Sequence, residues 1–167
     1  LTASDGTYSF TNLVAGTYVV AEAAVAGWVQ TTSPATYAVV ISGGTSSTGN
    51  DFGNFQLGSI NGQKYNDLDG NGAKGGGEPG LSGWRIRLTT SGVQVDSTLT
   101  DAGGAYVFQN LVAGTYAVSE GSQAGWSQSA PASPGSHTVA VSSGTAATAR
   151  DFGTYQAGGF SGMVVND

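Results

Sequence analysis

The sequence predicts an all-β fold of tandem immunoglobulin-like antiparallel β-sandwiches, and three observations predict it. Apolar residues recur at every second position in short runs, turn signals separate the runs, and no stretch sustains a 3.6-residue period. The composition agrees, with 28 glycines among 167 residues, 10% charged residues and 39% hydrophobic ones. Helical proteins carry more Leu, Glu and Lys, and disordered chains carry more charge and less apolar surface.

Taken in order, Asp5-Gly6 is a hairpin turn ahead of the first apolar run. Ile60, Gly62 and Lys64 alternate with Asn61, Gln63 and Tyr65, which reads as a strand. After a Gly-rich acidic loop, Trp84, Ile86 and Leu88 alternate with Arg85 and Arg87, so Trp84 belongs to the core. The same period runs through Tyr106 and Phe108, through Tyr116 and Val118, and through Val139 and Val141 with His137 in line. "DAGG", "LVAG", "AGW" and "SSGT" punctuate these runs as turns. Seven or so antiparallel strands in about 100 residues make a two-sheet sandwich.

The chain repeats itself. Residues 1–28, "LTASDGTYSFTNLVAGTYVVAEAAVAGW", lie on residues 99–126, "LTDAGGAYVFQNLVAGTYAVSEGSQAGW", at an offset of 98. After a two-residue slip "DFGNFQ" at 51 lies on "DFGTYQ" at 151, and "GSINGQKYND" at 58 lies on "GGFSGMVVND" at 158. Residues 58–158 are therefore expected to hold one whole repeat, 1–57 the later part of another, and 159–167 the first strand of a third. A window cut from a longer array is the expected reason for this phase; a subunit whose partial first domain takes strands from a neighbour's tail is the alternative.

Charge and composition exclude several functions. A net charge of −6 leaves no clustered Lys and Arg for phosphates, so nucleic acid is not an expected partner. No apolar run reaches the roughly 18 residues that span a bilayer, and no basic-then-apolar leader opens this segment. Cysteine is absent, so no disulfide and no thiolate is available. A cation can staple a small extracellular domain instead.

Several motifs together carry a family resemblance. "GQKYNDLDGNGAKGGGEPGLSGWRIRLTT", followed by "TDAGGAYVFQNLVAGTYAVSEGSQAGW", resembles the SdrD B-like domains of bacterial surface adhesins, relatives of the collagen-adhesin (Cna) B-type domains. The shared elements are the Asp-rich loop, the "EPGLSG" turn, the "GAYVF" hairpin and the "NLVAGTYAVSE" loop and strand. The resemblance implies a prealbumin-like sandwich, calcium-loaded loops and a spacer role in the stalk of a cell-surface adhesin. The chain departs from the family pattern at 129–150, which is rich in Ser, Ala and Pro.

Residues 67–78 satisfy the calcium-loop pattern D-x-[DN]-x-[DN]-G-x₅-E in full, with Asp67, Asp69, Asn71, Gly72 and Glu78 at its fixed positions. Ca²⁺ takes about six to eight oxygens, which the side chains of Asp67, Asp69, Asn71 and Glu78, the Ala73 carbonyl and a water near Gly75 would supply. Lys74 and the run Gly75 to Gly77 do not start a helix, so the loop is expected to clasp two strands. Asn166 and Asp167 begin the same loop in the third repeat.

The related B-type domains can carry a Lys to Asn or Asp isopeptide bond assisted by a buried Glu. Alternation puts Lys64 on the face of Ile60 and Glu120 on the face of Tyr116 and Val118, so both can point inward. The acceptor is the weak link. Asn50 has Arg150 as its counterpart, Asp151 should face away from Phe152, and Val164 replaces the lysine in the third repeat. The favoured expectation is structural: Glu120 hydrogen-bonds its own strand and Lys64 lines a sheet edge. Glu22 and Asn50 hold interest only if the strand that completes their repeat brings a lysine.

The remaining candidates are discounted. His137 is the single histidine and has no partners for a zinc site or triad. Trp28 and Trp126 follow Gly in equivalent turns and should lid the sandwich, with sugar stacking the lesser reading. No Asn-x-Ser/Thr sequon occurs. The sequence thus predicts a non-catalytic, calcium-stabilised repeat of an extracellular prokaryotic stalk or fibre, partnered by adjacent repeats or identical subunits. A module that grips a host or matrix ligand is the alternative.

Overall fold

The computed structural model describes residues 1–165. Its elements are all strands: β1 (Gly16–Ala21), β2 (Trp28–Gln30), β3 (Thr36–Ile41), β4 (Asn54–Gln56), β5 (Gly58–Asn66), β6 (Arg85–Thr90), β7 (Val93–Leu99), β8 (Ala105–Leu111), β9 (Gly114–Glu120), β10 (Trp126–Ala130), β11 (Ser136–Val141), β12 (Ala146–Ala147) and β13 (Phe152–Gln156). Among the described residues no helix is long and apolar enough to cross a membrane. The chain divides into two compact units, Leu1–Phe55 and Gln56–Asp167.

The second unit is a sandwich of two sheets. One runs β10-β13-β5-β12 with β8 also paired to β5; the other runs β11-β9-β6-β7. Alternation decides which side chains meet between them. Ile60, Phe108 and Phe152 come from the first sheet, and Ile86, Leu88, Val118, Val139 and Val141 from the second, all buried. Burying each such side chain contributes about 1.5–3 kcal/mol. Turn chemistry closes the ends: the Asp101 carboxylate accepts from the Gly103 and Ala105 amides at 2.9 and 2.8 Å, turning β7 into β8.

The strand pairing adds one feature to the antiparallel sandwich expected. β5 pairs antiparallel with β8 but parallel with β13, Phe152 opposite Lys64 and Thr154 opposite Asn66, and parallel with β12. The first strand of this unit is therefore central, flanked by its last. The Ser, Ala and Pro-rich stretch still forms β10, β11 and β12.

The first unit repeats part of this pattern. β1 pairs with β3 as β9 pairs with β11, and β2 pairs with β4. Local bonds recur: the Tyr18 hydroxyl donates to the Val14 carbonyl as Tyr116 does to Val112. The Tyr37 hydroxyl donates to the Asp51 carbonyl at 2.7 Å, where His137 Nε2 meets the Asp151 carbonyl at 2.8 Å. Residues 7–13, the counterpart of β8, form no strand.

Candidate metal centre and buried ion pair

The acidic loop starts where β5 ends. The Asp67 amide donates to the Thr154 carbonyl at 2.8 Å and the Asn66 amide to the Pro79 carbonyl at 2.9 Å, so sheet bonds anchor both ends of the loop. Between them the backbone turns sharply at Gly72, whose φ of 77° favours glycine. Loop amides then hold each carboxylate. Asp67 accepts from the Asn71 and Gly72 amides at 3.1 and 2.8 Å, and Asp69 from the Asn71 amide at 3.1 Å and the Asn71 side chain at 2.7 Å. Glu78 takes one amide on each oxygen, from Leu68 at 2.9 Å and from Gly75 at 2.7 Å. Asn71 Oδ1 accepts from the Ala73 amide at 2.6 Å.

The result is a convergence of like charges. Carboxylate oxygens of Asp67, Asp69 and Glu78 all lie within 4.8 Å of one another. Asp67 is fully buried while Asp69 stays exposed. The Ser129 hydroxyl, buried alongside without a well-aligned acceptor, does most to hold the Asp67 carboxyl below its ordinary pKa, against the opposing effect of burial. The donors are hard oxygens of the kind Ca²⁺ takes. Asn166 and Asp167 lie outside the described residues.

The interior of the sandwich holds a second constellation. Lys64 is wholly buried on the central strand β5, not at a sheet edge, which corrects the structural expectation for it. Its ammonium meets the Glu120 carboxylate in an ion pair and lies 4.5 Å from the centroid of the Trp84 ring. Trp126 packs edge-on against Trp84 at 5.6 Å. Burial pulls the Lys64 pKa down and pushes the Glu120 pKa up, each shift opposed by the partner.

The other candidates have different partners. Asp151 Oδ1 accepts from the Gln63 amide at 2.8 Å, and the Asn50 side chain donates to Ser47 at 3.0 Å. The residue that meets Glu22 is Asn54, whose amide donates to it at 2.7 Å. Sequence reasoning passed over Asn54; the alignment of "DFGNFQ" on "DFGTYQ" places it at Thr154, a buried residue on the strand beside Lys64.

Comparison with known proteins defines the class. The chain belongs to the SdrD B-like domain family, whose family model matches residues 58–158. No curated protein matches it. Among solved structures it is similar to the Bacillus anthracis TIE protein, at 16% identity and a TM-score of 0.44 over 72% of this chain and 20% of that one. It is also similar to GBS52, the minor pilin of Streptococcus agalactiae, at 13% identity and a TM-score of 0.46 over 98% of this chain and 70% of that one. The chain thus spans about a fifth of the first of these proteins.

Proposed function

We propose that the protein is a calcium-stabilised, non-catalytic structural repeat of a bacterial surface stalk, adhesin or fibre, with residues 58–158 as one whole repeat. The observation that carries this reading is the convergence of Asp67, Asp69 and Glu78. Two unit charges 4.8 Å apart repel by about 1 kcal/mol in bulk water and by about 3 kcal/mol at an effective dielectric near 20. A divalent cation turns that repulsion into attraction. Because the loop is anchored on β13 through the Asp67 amide and closes back on β5 through Pro79, filling it clamps the end of the sandwich. Membership of the SdrD B-like family supports the setting, outside the cell, where calcium is abundant.

The Lys64–Glu120 pair is assigned a structural role. Among the described residues Asp151, the acidic candidate nearest β13, is committed to the Gln63 amide. The calcium reading is tested by thermal unfolding in calcium and in excess chelator. With a dissociation constant near 10⁻⁴ M, about 10 mM calcium adds roughly 2.7 kcal/mol. That raises the midpoint by roughly 10–20 °C for a domain of this size. Asp67→Ala and Glu78→Ala each remove the increase. No shift at about 10 mM calcium, some hundredfold above that constant, refutes the proposal.

A further inference from the structure

The stretch "EGSQAGW", residues 120–126, carries a chemistry that the stalk reading leaves unused. β9 ends at Glu120, and the chain turns before β10 begins at Trp126. Gly125, at a φ of 82°, takes the left-handed conformation that the turn requires, and the Trp126 amide donates to the Gln123 carbonyl at 3.2 Å. Glu22 and Trp28 lie on Glu120 and Trp126 at the offset of 98, so both copies of the repeat carry the acid and the indole.

In the second unit this turn borders a hollow of about 120 Å³. Trp126 and Thr154 reach it from one sheet, Glu120 from the other, and Trp84 from the position just before β6. The Trp84 and Trp126 rings stand at 88° to one another with centroids 5.6 Å apart, which makes an aromatic corner. Exposed Ser122 and Gln123 form a polar rim. The Thr154 hydroxyl donates to the Ser127 carbonyl at 2.8 Å and still has lone pairs to accept with. Trp84 is only 3% exposed, and its Nε1–H is buried with no hydrogen-bond partner among the described residues. A buried donor of this kind costs stability until an acceptor reaches it.

We propose that this hollow binds one ring of a neutral sugar. Size sets the first limit: a cavity of about 150 Å³ holds a benzene ring, so about 120 Å³ behind an exposed rim takes one six-membered ring and not two. Charge sets the second. Glu120 is the one ionised group on the wall and Lys64 neutralises it from behind, so neither an anion nor a cation finds an unbalanced charge to answer. Among neutral ligands, the aromatic corner selects a ring with apolar faces, and the scattered donors and acceptors select one with hydroxyls around its edge.

A sugar meets both demands at once. Each hydroxyl donates one hydrogen bond and accepts others, so one hydroxyl accepts from Trp84 Nε1–H while another donates to the Glu120 carboxylate. Gln123 and Ser122 are left to bond the hydroxyls that face outward. A single hexose has about a dozen heavy atoms, which at ordinary ligand efficiency corresponds to a dissociation constant in the millimolar range. The inference goes beyond the stalk reading. The hollow shares no residue with the acidic loop, so it stands apart from the calcium reading as well.

The test follows the three indole N–H signals of the isotope-labelled full chain by NMR, assigned through Trp28→Phe and Trp126→Phe. Methyl glycosides of glucose, galactose, mannose and N-acetylglucosamine are each added to about 50 mM, above the expected constant. At least one should move the Trp84 signal saturably, with a dissociation constant of about 1–10 mM. Acetamide, which offers a donor and an acceptor but no ring, should bind at least about tenfold more weakly. Trp126→Ala and Gln123→Ala should each weaken the sugar by at least about fivefold. Gln123 is exposed, so its variant tests the site with the core of the domain untouched. No saturable shift of the Trp84 signal with any of the glycosides overturns the proposal. So does a shift that both variants leave unchanged, or one that acetamide produces at the same concentrations.

Discussion

Replacing Lys64 by methionine removes the charge and keeps most of the volume. Glu120, whose side chain is 6% exposed, then has no cation and no aligned donor beside it. Breaking a buried pair from one side costs about 3–5 kcal/mol, a large part of the 5–15 kcal/mol that stabilises a typical domain. For about 100 residues that lowers the melting midpoint by roughly 12–40 °C. Calorimetry of the full chain, following the transition of the second unit, measures it. The double variant Lys64→Met, Glu120→Leu should recover to within about 1 kcal/mol of the parent or exceed it, since an apolar pair of similar volume avoids the desolvation cost. The pH dependence has a definite sign. Burial already raises the Glu120 pKa above 4.5, and removing the opposing lysine raises it further. The folded variant holds a proton that the unfolded chain releases, so its stability falls as pH rises from about 4.5 through the folded pKa. A single variant that loses less than about 1 kcal/mol, or whose midpoint is flat between about pH 5 and 8, refutes the account.

Phe108→Ala should cost about 3–5 kcal/mol, whereas Phe10→Ala should cost under about 1 kcal/mol, because the same ring is buried in one unit and exposed in the other. Denaturant midpoints of the two variants check the contrast, and equal losses would contradict it. Burial, then the Asp67 and Glu78 charges, push the Tyr65 pKa to about 12, and burial pushes Tyr106 up as well. A phenol whose pKa is raised on folding stabilises the fold less as pH climbs above about 10, so alkaline unfolding should begin there. Tyr65→Phe should shift that onset upward, as read by phenolate absorbance alongside circular dichroism.

What was legible in the sequence was local. Alternation from Ile60 through Lys64 and from Trp84 through Leu88 placed the inward faces correctly, because strand geometry alone decides which side chains share a face. Alternation could not say that β5 is central or that it runs parallel to β13, since pairing between residues 64 and 152 depends on the path of the whole chain. For that reason Lys64 was assigned to an edge that does not exist there. Alternation turns both Lys64 and Glu120 inward, and the fold adds that their side chains meet across the sandwich. Asn50 and Asn54 lie equally far from Phe52 on either side, so alternation does not separate them; the fold does, with Asn50 bonded to Ser47 and Asn54 donating to Glu22.

The parallel contact between β5 and β13 has a mechanical consequence. Gly58 opens the first strand and Gln156 ends the last, so tension along the chain pulls two neighbouring parallel strands in opposite directions. Such a load shears the ladder, straining its bonds at once, where an opposed hairpin would let them peel one at a time. The Asp67 and Asn66 anchors of the loop sit at the far end of the same seam. A repeat built this way yields little under steady pull and then gives way all together, the behaviour of a tether and not of a spring.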